Sequence, residues 1–245
     1  MIYCFSGTGN SLLVANRLAE LTEDTVCDMV ASVFRMDDVI GLVFPVYGWG
    51  LPRVVEDFVE SLPKGVTPSY FYAVITCGDD IGYADHLLDR LLRKKWGREL
   101  DAAFSVQMPN TYVCLPGFDV DPEELVERKV ADTIGRLPHL ARCVVDRSKV
   151  RDVVRGNMAW VKTYIIRYIF NATLVTDRYF HVAKDKCVKC GRCKNSCPLG
   201  NVSVSEGFPA WGGHCTGCLA CYHACPRHAI DFGRMTYGKG QRYSK

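Results

Sequence analysis

Two runs of sequence decide the C-terminal part of this chain: CVKCGRCKNSCP, from Cys187 to Pro198, and CTGCLACYHACP, from Cys215 to Pro226. Each has the pattern C-x2-C-x2-C-x3-C-P. Two-residue spacers let one tight loop supply three thiolates to a small object, and a fourth thiolate has to come from elsewhere. The repeated pattern therefore predicts two clusters of four iron atoms.

Where two such runs occur, the last cysteine of each run ligates the other cluster. The expected ligands are Cys187, Cys190, Cys193 and Cys225 for cluster I, and Cys215, Cys218, Cys221 and Cys197 for cluster II. The prolines after the fourth cysteines turn the chain away, because proline neither continues a helix nor donates a hydrogen bond. A zinc site built from C-x2-C pairs and a disulfide framework are the two alternatives.

The stretch from about Tyr179 to Gly233 resembles the bacterial-type two-cluster ferredoxins. All eight cysteines and both prolines of that family's pattern are present. The resemblance implies a compact module with a doubled ββα arrangement and clusters of low potential.

Composition places the whole chain among ordinary globular proteins. Of its 245 residues, 48% are hydrophobic and 23% are charged. Five cysteines lie outside the two runs, and this odd, dispersed remainder argues against a secreted disulfide scaffold. The first residues lack the order of a signal peptide, and the best candidate for a membrane span, Trp160 to Phe170, is short and carries Lys162 and Arg167. We expect a cytoplasmic protein.

Net charge gives little indication of a polyanionic partner. The formal value of +3 makes no case for nucleic acid. Residues 184–194 are rich in lysine, which fits either a docking face for an acidic partner or an ordinary solvated surface. Membrane contact through a basic, aromatic helix between residues 140 and 170 is less expected than packing between domains.

The N-terminal part begins with a short apolar run, Met1 to Phe5, followed by a polar turn and a helical apolar pattern from Leu12 to Leu21. A turn of this kind, between a strand and a helix, directs free N–H groups at a phosphate. Its residues are Ser6, Gly7, Thr8, Gly9, Asn10 and Ser11. The turn carries no lysine or arginine, unlike a nucleoside triphosphate loop. The alternative is a plain helix N-cap.

The SGTGNS turn resembles the phosphate loop of flavodoxins, whose pattern is [ST]-x-T-G-N-[ST]. The resemblance implies FMN and covers roughly residues 1–140. It also implies a doubly wound, five-stranded parallel sheet of order 2-1-3-4-5.

Alternating strands and helices follow the turn, as a parallel sheet covered on both faces requires. Ligands of such sheets lie beyond the carboxyl ends of the strands, where further glycine-rich and aromatic loops occur. The loop residues expected to contact the flat, aromatic flavin are Pro45, Val46, Tyr47, Gly48, Trp49, Cys77, Gly78, Asp79 and Tyr83. Flavodoxins have C-G-D-x-x-Y in the loop that corresponds to residues 77–83. Here the sequence is C-G-D-D-I-G-Y, so the tyrosine comes one residue late.

The sequence predicts three contiguous parts: an FMN domain over 1–140, a helical connector over 141–178 and a ferredoxin-like domain over 179–245. Near the end of the first part, Asp121-Pro122-Glu123-Glu124 is a helix start, and the helix is expected to end at Leu137, before Pro138. The whole chain resembles the bacterial and archaeal flavodoxin–ferredoxin fusion proteins, which share an M-P-N turn found here at Met108.

The resemblance implies electron transfer between the two clusters, FMN and redox partner proteins. The alternative is an FMN-dependent oxidoreductase that reduces a quinone, a nitro compound or another small acceptor with electrons supplied through the clusters. The sequence designates no catalytic acid or base, because its six histidines are scattered. A redox-sensing binding module is a third class.

Overall fold

The computed structural model describes residues 1–65 and 67–243. It divides into two compact units. The first consists of Met1–Ser6, Asn10–Pro109 and Glu123–Tyr168, and the second of Gly7–Gly9, Asn110–Pro122 and the chain from Ile169 onward. The units are thus interleaved in sequence, whereas the three predicted parts are contiguous. Ser244 and Lys245, at the end of the predicted third part, lie outside the described residues.

The first unit is built on a parallel sheet of six strands with the order β2-β1-β3-β4-β5-β6. The strands are β1 Ile2–Cys4, β2 Val26–Asp28, β3 Val39–Pro45, β4 Tyr70–Cys77, β5 Ala102–Gln107 and β6 Val150–Asp152. The first five strands have the predicted order, which confirms the flavodoxin-like sheet. The central strands β3 and β4 are continuous apolar runs because helices cover both of their faces.

The count of five strands is wrong by one. Strand β6 pairs in parallel with β5, with Val150 opposite Ala102. It falls in the segment predicted to be a helical connector. Its three residues include Arg151, and so short and charged a stretch carries no strand periodicity.

Helices pack on both faces of the sheet. They are α1 Asn10–Thr22, α2 Arg53–Ser61, α3 Ala84–Trp96 and α4 Glu123–Val145. One core lies around Phe44, Val55 and Leu88, and the other lies around Leu18 and Leu140. The two cores account for the apolar periodicity of α1 and for the apolar strands.

Helix α4 continues through Pro138 to Val145, so the predicted end at Leu137 is wrong. Proline inside a helix removes one hydrogen bond and kinks the backbone. Here the residues after the proline, including Leu140 and Val144, are buried in the second core. Burial of this last stretch offsets the lost hydrogen bond.

The chain then forms α5 Ala159–Val161, a π-helical turn Lys162–Ile166 and α6 Arg167–Thr173. Turns of the π type are rare and are often found at functional sites. This helical stretch is shorter than the predicted one, because β6 and a left-handed residue, Met158 (φ 53°), come before it. No helix in the described part of the chain is long and apolar enough to cross a membrane.

The second unit contains two small antiparallel sheets and two short helices. Its elements are β7 Phe180–Val182, α7 Arg192–Ser196, β8 Val202–Ser205, β9 Phe208–Trp211, α8 Ala220–His223 and β10 Ile230–Phe232. Strand β7 pairs with β10, and β8 pairs with β9. A core around Val202, Tyr222 and Phe232 holds the sheets and helices together. One short helix follows the start of each cysteine run, in line with the doubled arrangement that the resemblance to two-cluster ferredoxins implies.

Candidate functional site

A cavity in the second unit brings together the four cysteines predicted to ligate cluster I. Cys187, Cys190, Cys193 and the crossed-over Cys225 all line it, although the last is far away in sequence. Burial raises the pKa of the Cys193 thiol, and the neighbouring Cys225 and Cys190 raise it further. The four cysteines therefore lie around one cavity, as the ligands of one cluster must.

The second set of predicted ligands is also close together. The pKa of the Cys221 thiol is raised well above its usual value, mainly by burial, and then by Cys218, Cys215 and Cys197. Burial likewise raises the pKa of Cys215 to about 11. Bare thiols in such surroundings are protonated, and coordination by iron supplies the positive charge that favours the thiolate.

Backbone N–H groups point at the crossed-over sulfurs in the same way in both halves. The Asn201 N–H donates to Cys197 Sγ and the Ala229 N–H donates to Cys225 Sγ, each at 3.2 Å. In each case the donor is four residues after the cysteine. Hydrogen bonds of this kind stabilise ligating thiolates and tune cluster potentials. Their repetition supports the same role for both cysteines.

Left-handed residues begin the short helix of each run. Gly191 (φ 72°) precedes α7 and Leu219 (φ 58°) precedes α8. This bend closes the loop that carries the first cysteines. Within residues 1–65 and 67–243, no three histidine, cysteine, aspartate or glutamate side chains converge closely enough to hold a single metal ion.

The predicted flavin loops follow neighbouring strands at one edge of the first unit's sheet. Pro45 lies opposite Thr76 and Cys77 lies opposite Gln107, so β3, β4 and β5 end at about the same level. The strand order reverses between the neighbouring strands β1 and β3. Parallel sheets bind their ligands at such a point.

The turn after β1 leads directly into the N-terminus of α1. Gly9 has φ 113°, a conformation that side chains disfavour. Two polar side chains of the turn are held within the protein: Asn10 Nδ2 donates to the Pro109 carbonyl at 2.8 Å, and the Ser11 hydroxyl lies 2.7 Å from that of Thr76. The turn offers hydroxyl and amide donors and no cation, which fits a phosphate monoester bound mainly by backbone N–H groups.

The loop after β3 is a tight hairpin with a strained aromatic residue. Tyr47 and Gly50 exchange two backbone hydrogen bonds around Gly48 (φ 54°) and Trp49 (φ 58°). Both central residues are left-handed, as in a type I′ turn. A tryptophan in this region is uncommon and costs conformational energy, which is typical of functional sites.

In the loop after β4, the predicted flavin residues have different surroundings. The Cys77 side chain is buried with Sγ 3.7 Å from the Val106 carbonyl oxygen, and burial raises its pKa to about 12. The Asp79 carboxylate is exposed. The Tyr83 ring lies 4.7 Å from the Arg155 guanidinium and 5.0 Å from the His86 ring. Flavin stacking by Tyr83 stays a prediction, and its ring already has these neighbours.

Sequence reasoning missed Thr163, in the π-helical turn. Its buried hydroxyl donates to the Trp49 carbonyl at 2.9 Å and accepts from the Tyr83 N–H at 2.9 Å. Lys162 pairs with Asp80 at 2.6 Å and lies over the Trp49 ring. The turn therefore fastens the loops after β3 and β4 to each other. No local sequence signal identifies such a residue, because its partners are 80 and 114 positions away.

Sequence reasoning also missed the contacts of His223. This buried side chain lies on α8 between two predicted ligands. Its Nε2 donates to the Thr111 carbonyl at 2.6 Å, and its Nδ1 accepts from the Arg242 N–H at 3.1 Å. Burial lowers its pKa to about 4, consistent with the neutral ring. Thr8 Oγ1 lies 3.3 Å from Thr111 Oγ1, which connects the tip of the turn after β1 to α8 within the second unit.

The sheet order and the cysteine pattern together define a chain that joins a flavodoxin-like α/β fold to a small ferredoxin domain. Residues 186–230 match the model of the 4Fe-4S dicluster domain family. The C-terminal part is accordingly an iron–sulfur domain of the electron-transfer type.

Two curated proteins resemble this part of the chain. The polyferredoxin protein MvhB of Methanothermus fervidus is 31% identical over 64 residues, which are 26% of this chain and 16% of that protein. The pyruvate synthase subunit PorD of Methanocaldococcus jannaschii is 42% identical over 48 residues, 19% of this chain and 56% of that protein. The chain thus spans about a sixth and about half of these relatives.

Among solved structures, a flavodoxin of Streptococcus pneumoniae TIGR4 is similar. It is 21% identical, with a TM-score of 0.40, and the match covers 60% of this chain and 97% of the flavodoxin. The assignment of the α/β fold rests on the strand order and not on this similarity.

Proposed function

We propose that the protein transfers electrons between two [4Fe-4S] clusters, a bound FMN and redox partner proteins. Cys187, Cys190, Cys193 and Cys225 would hold cluster I, and Cys215, Cys218, Cys221 and Cys197 would hold cluster II. The clusters supply one-electron chemistry, and the flavin supplies one- or two-electron chemistry. The cavity that places Cys225 beside the first run carries the proposal, because crossed-over ligation is the mark of a two-cluster domain.

The FMN part of the proposal is supported by the turns at the sheet edge. The turn after β1 would hold the phosphate with backbone N–H groups and with hydroxyl groups of Ser6 and Thr8. Tyr47 and Trp49 would lie against the ring, with backbone groups of Gly78 and Asp79 near its polar edge. These backbone and side-chain groups would bind and orient the flavin, and none of them is proposed to transfer a proton.

Anaerobic purification and counting of cofactors test the composition. We expect about eight iron atoms per chain, four for each cluster, and one FMN released by heat. Two iron atoms or fewer, or no FMN under any loading condition, would contradict the respective half of the proposal.

A reductive titration of the loaded protein tests the function itself. Two one-electron clusters and one flavin should accept about four electrons per chain, with the visible bands of the clusters and of the flavin both bleaching. A flavin that stays oxidised after equivalents enter the clusters would refute the transfer. Saturable turnover of a quinone or nitro compound would instead favour the oxidoreductase alternative.

A further inference from the structure

We infer that the surface around the cluster I cavity is a docking site for a small acidic redox protein. The inference rests on the proposed function, since electron exchange there requires cluster I. The surface, here called the basic rim, consists of six exposed cations. They are Lys184, Lys186, Lys189, Arg192, Lys194 and Arg227.

The charge of the basic rim is not balanced by its own neighbours. Residues 184–194 contain five cations and a single acid, Asp185. Within residues 1–65 and 67–243, none of the six rim cations forms an ion pair. Unpaired charges of one sign raise the local potential and attract a partner of the opposite sign.

Neutralisation of the cluster's own negative charge does not explain the rim. The two cysteine runs are repeats with the same ligands, so clusters I and II carry the same charge. Yet residues 207–226, which contain the three leading cysteines of the second run, include no lysine, arginine, aspartate or glutamate. If cations were needed to hold a cluster, both runs would have them.

Several rim cations are fixed beside the cavity. Lys189, Arg192 and Arg227 line it together with the predicted ligands. The ammonium groups of Lys184 and Lys189 lie 5.2 and 4.6 Å from the centre of the Phe208 ring. A Cβ on Gly207 would meet Lys189 Cδ at 2.7 Å, so the lysine stem runs across this glycine. The charges are thus placed around the cavity.

The centre of the rim is apolar and accessible. Val188 and Val204 line the cavity and are 58% and 42% exposed, and Cys190 is exposed as well. An apolar centre surrounded by charges is the usual anatomy of a transient protein interface. It also leaves a cluster sulfur open to the partner, as electron transfer between proteins requires.

These features select the partner's chemistry. Complementary charge increases the association rate and orients the encounter, while adding little to affinity once contact is made. The partner should therefore carry a ring of carboxylates around its own redox centre and should bind with strong salt dependence. An anionic lipid surface is the competing occupant. Binding to lipid headgroups would not require a small apolar centre beside a ligand cysteine.

Calorimetry tests the inference by measuring how tightly an acidic flavodoxin binds the cofactor-loaded chain at low and at high salt. A basic c-type cytochrome is the negative probe. The test variant is Lys189→Gln/Arg192→Gln/Arg227→Gln. A second variant, Lys184→Gln/Lys186→Gln/Lys194→Gln, changes rim residues that do not line the cavity. The matched control, Lys64→Gln/Lys94→Gln/Arg128→Gln, removes the same charge from exposed positions of the first unit.

We expect the cavity-lining variant to weaken binding about tenfold at low salt, the second variant to weaken it less, and the control to change it less than twofold. Equal losses in all three variants, or preferential binding of the cytochrome, would overturn the inference. Rim-dependent binding to phosphatidylglycerol vesicles but not to the flavodoxin would assign the surface to a membrane and would also overturn it. Iron content, measured in the same samples, separates these results from a failure of the proposed function.

Discussion

At the scale of single residues, the left-handed Trp49 is the clearest sign of a binding loop. A bulky residue in this region costs about 1–2 kcal/mol, and glycine removes the cost. We expect Trp49→Gly to leave the free energy of unfolding nearly unchanged, since lost packing offsets relieved strain. The same change should raise the Kd for FMN about three- to tenfold, through loss of one aromatic contact. Quenching of FMN fluorescence measures the Kd.

Met158 provides the control, because it is also left-handed, with φ 53°, and its side chain is 71% exposed. Met158→Gly should stabilise the fold by about 0.5–1 kcal/mol without affecting FMN. If Trp49→Gly binds FMN as well as the wild type does, the tryptophan has no part in the flavin site.

Two tyrosines of β4 have opposite hydrogen-bonding states. The Tyr70 hydroxyl donates to the Ser148 carbonyl at 2.7 Å, whereas the Tyr72 hydroxyl is buried without a partner among the described residues. An unsatisfied buried hydroxyl costs about 1–3 kcal/mol. We therefore expect Tyr72→Phe to raise the free energy of unfolding by about 1 kcal/mol and Tyr70→Phe to lower it by about as much.

Urea unfolding followed by circular dichroism compares the two tyrosine variants directly. They remove the same atom from residues whose rings are 6.0 Å apart, so differences in strand propensity cancel. A loss of stability in Tyr72→Phe would indicate that its hydroxyl has a partner, such as water, in solution.

The role of a residue could be predicted where it leaves a short-range pattern in the sequence. The eight cysteines could be proposed as ligands from the sequence because three of every four lie within seven residues, and the crossing of the fourth follows a general rule. The roles of Thr163 and His223 could not be predicted, since both act through hydrogen bonds to backbone groups that are distant in sequence. Such contacts leave no periodicity or spacing in the chain.

At the scale of elements, the π-helical turn Lys162–Ile166 connects the helical stretch after β6 to the two loops proposed to hold the flavin. Thr163 bonds one group on each of two loops, so Thr163→Val should free both while keeping the side-chain shape. We expect a loss of about 2 kcal/mol in stability and a weaker affinity for FMN, measured by urea unfolding and by flavin fluorescence.

Thr163→Ser is the matched control, because it keeps the hydroxyl and removes only a methyl group. It should retain near wild-type FMN affinity. If serine and valine weaken flavin binding equally, packing of the methyl group and not the hydroxyl bridge positions the loops.

Long, apolar elements were predictable and short, charged ones were not. Strands β3 and β4 are buried on both faces, so their sequences are continuous apolar runs. Strand β6 is three residues long and has an exposed arginine, and only its pairing with β5 makes it a strand. Similarly, Pro138 is a sound stop signal in isolation, which burial of the following turn overrides.

At the scale of the whole molecule, the two cysteine runs are equivalent as ligand sets and unequal as surfaces. The first run is surrounded by cations, and its surface has an accessible apolar centre. The second has no charged residues, and its helix α8 bonds through His223 to Thr111, next to the tip of the turn after β1. This asymmetry supports the docking of partner proteins at the first run, where cluster I is proposed.

Covalent joining of the carriers makes a kinetic prediction. Carriers on one chain meet at a high effective concentration that does not depend on the amount of protein in solution. After rapid reduction of the clusters in an anaerobic stopped-flow experiment, the flavin band should therefore bleach with one first-order rate constant. That constant should vary by less than twofold over a hundredfold range of protein concentration. A rate that rises in proportion to concentration would mean that electrons pass between molecules, and that the fused chain supplies two independent carriers. The control is the Lys189→Gln/Arg192→Gln/Arg227→Gln variant, which should keep the intramolecular rate even if it loses its acidic partner, because the rim serves docking and not transfer within the chain.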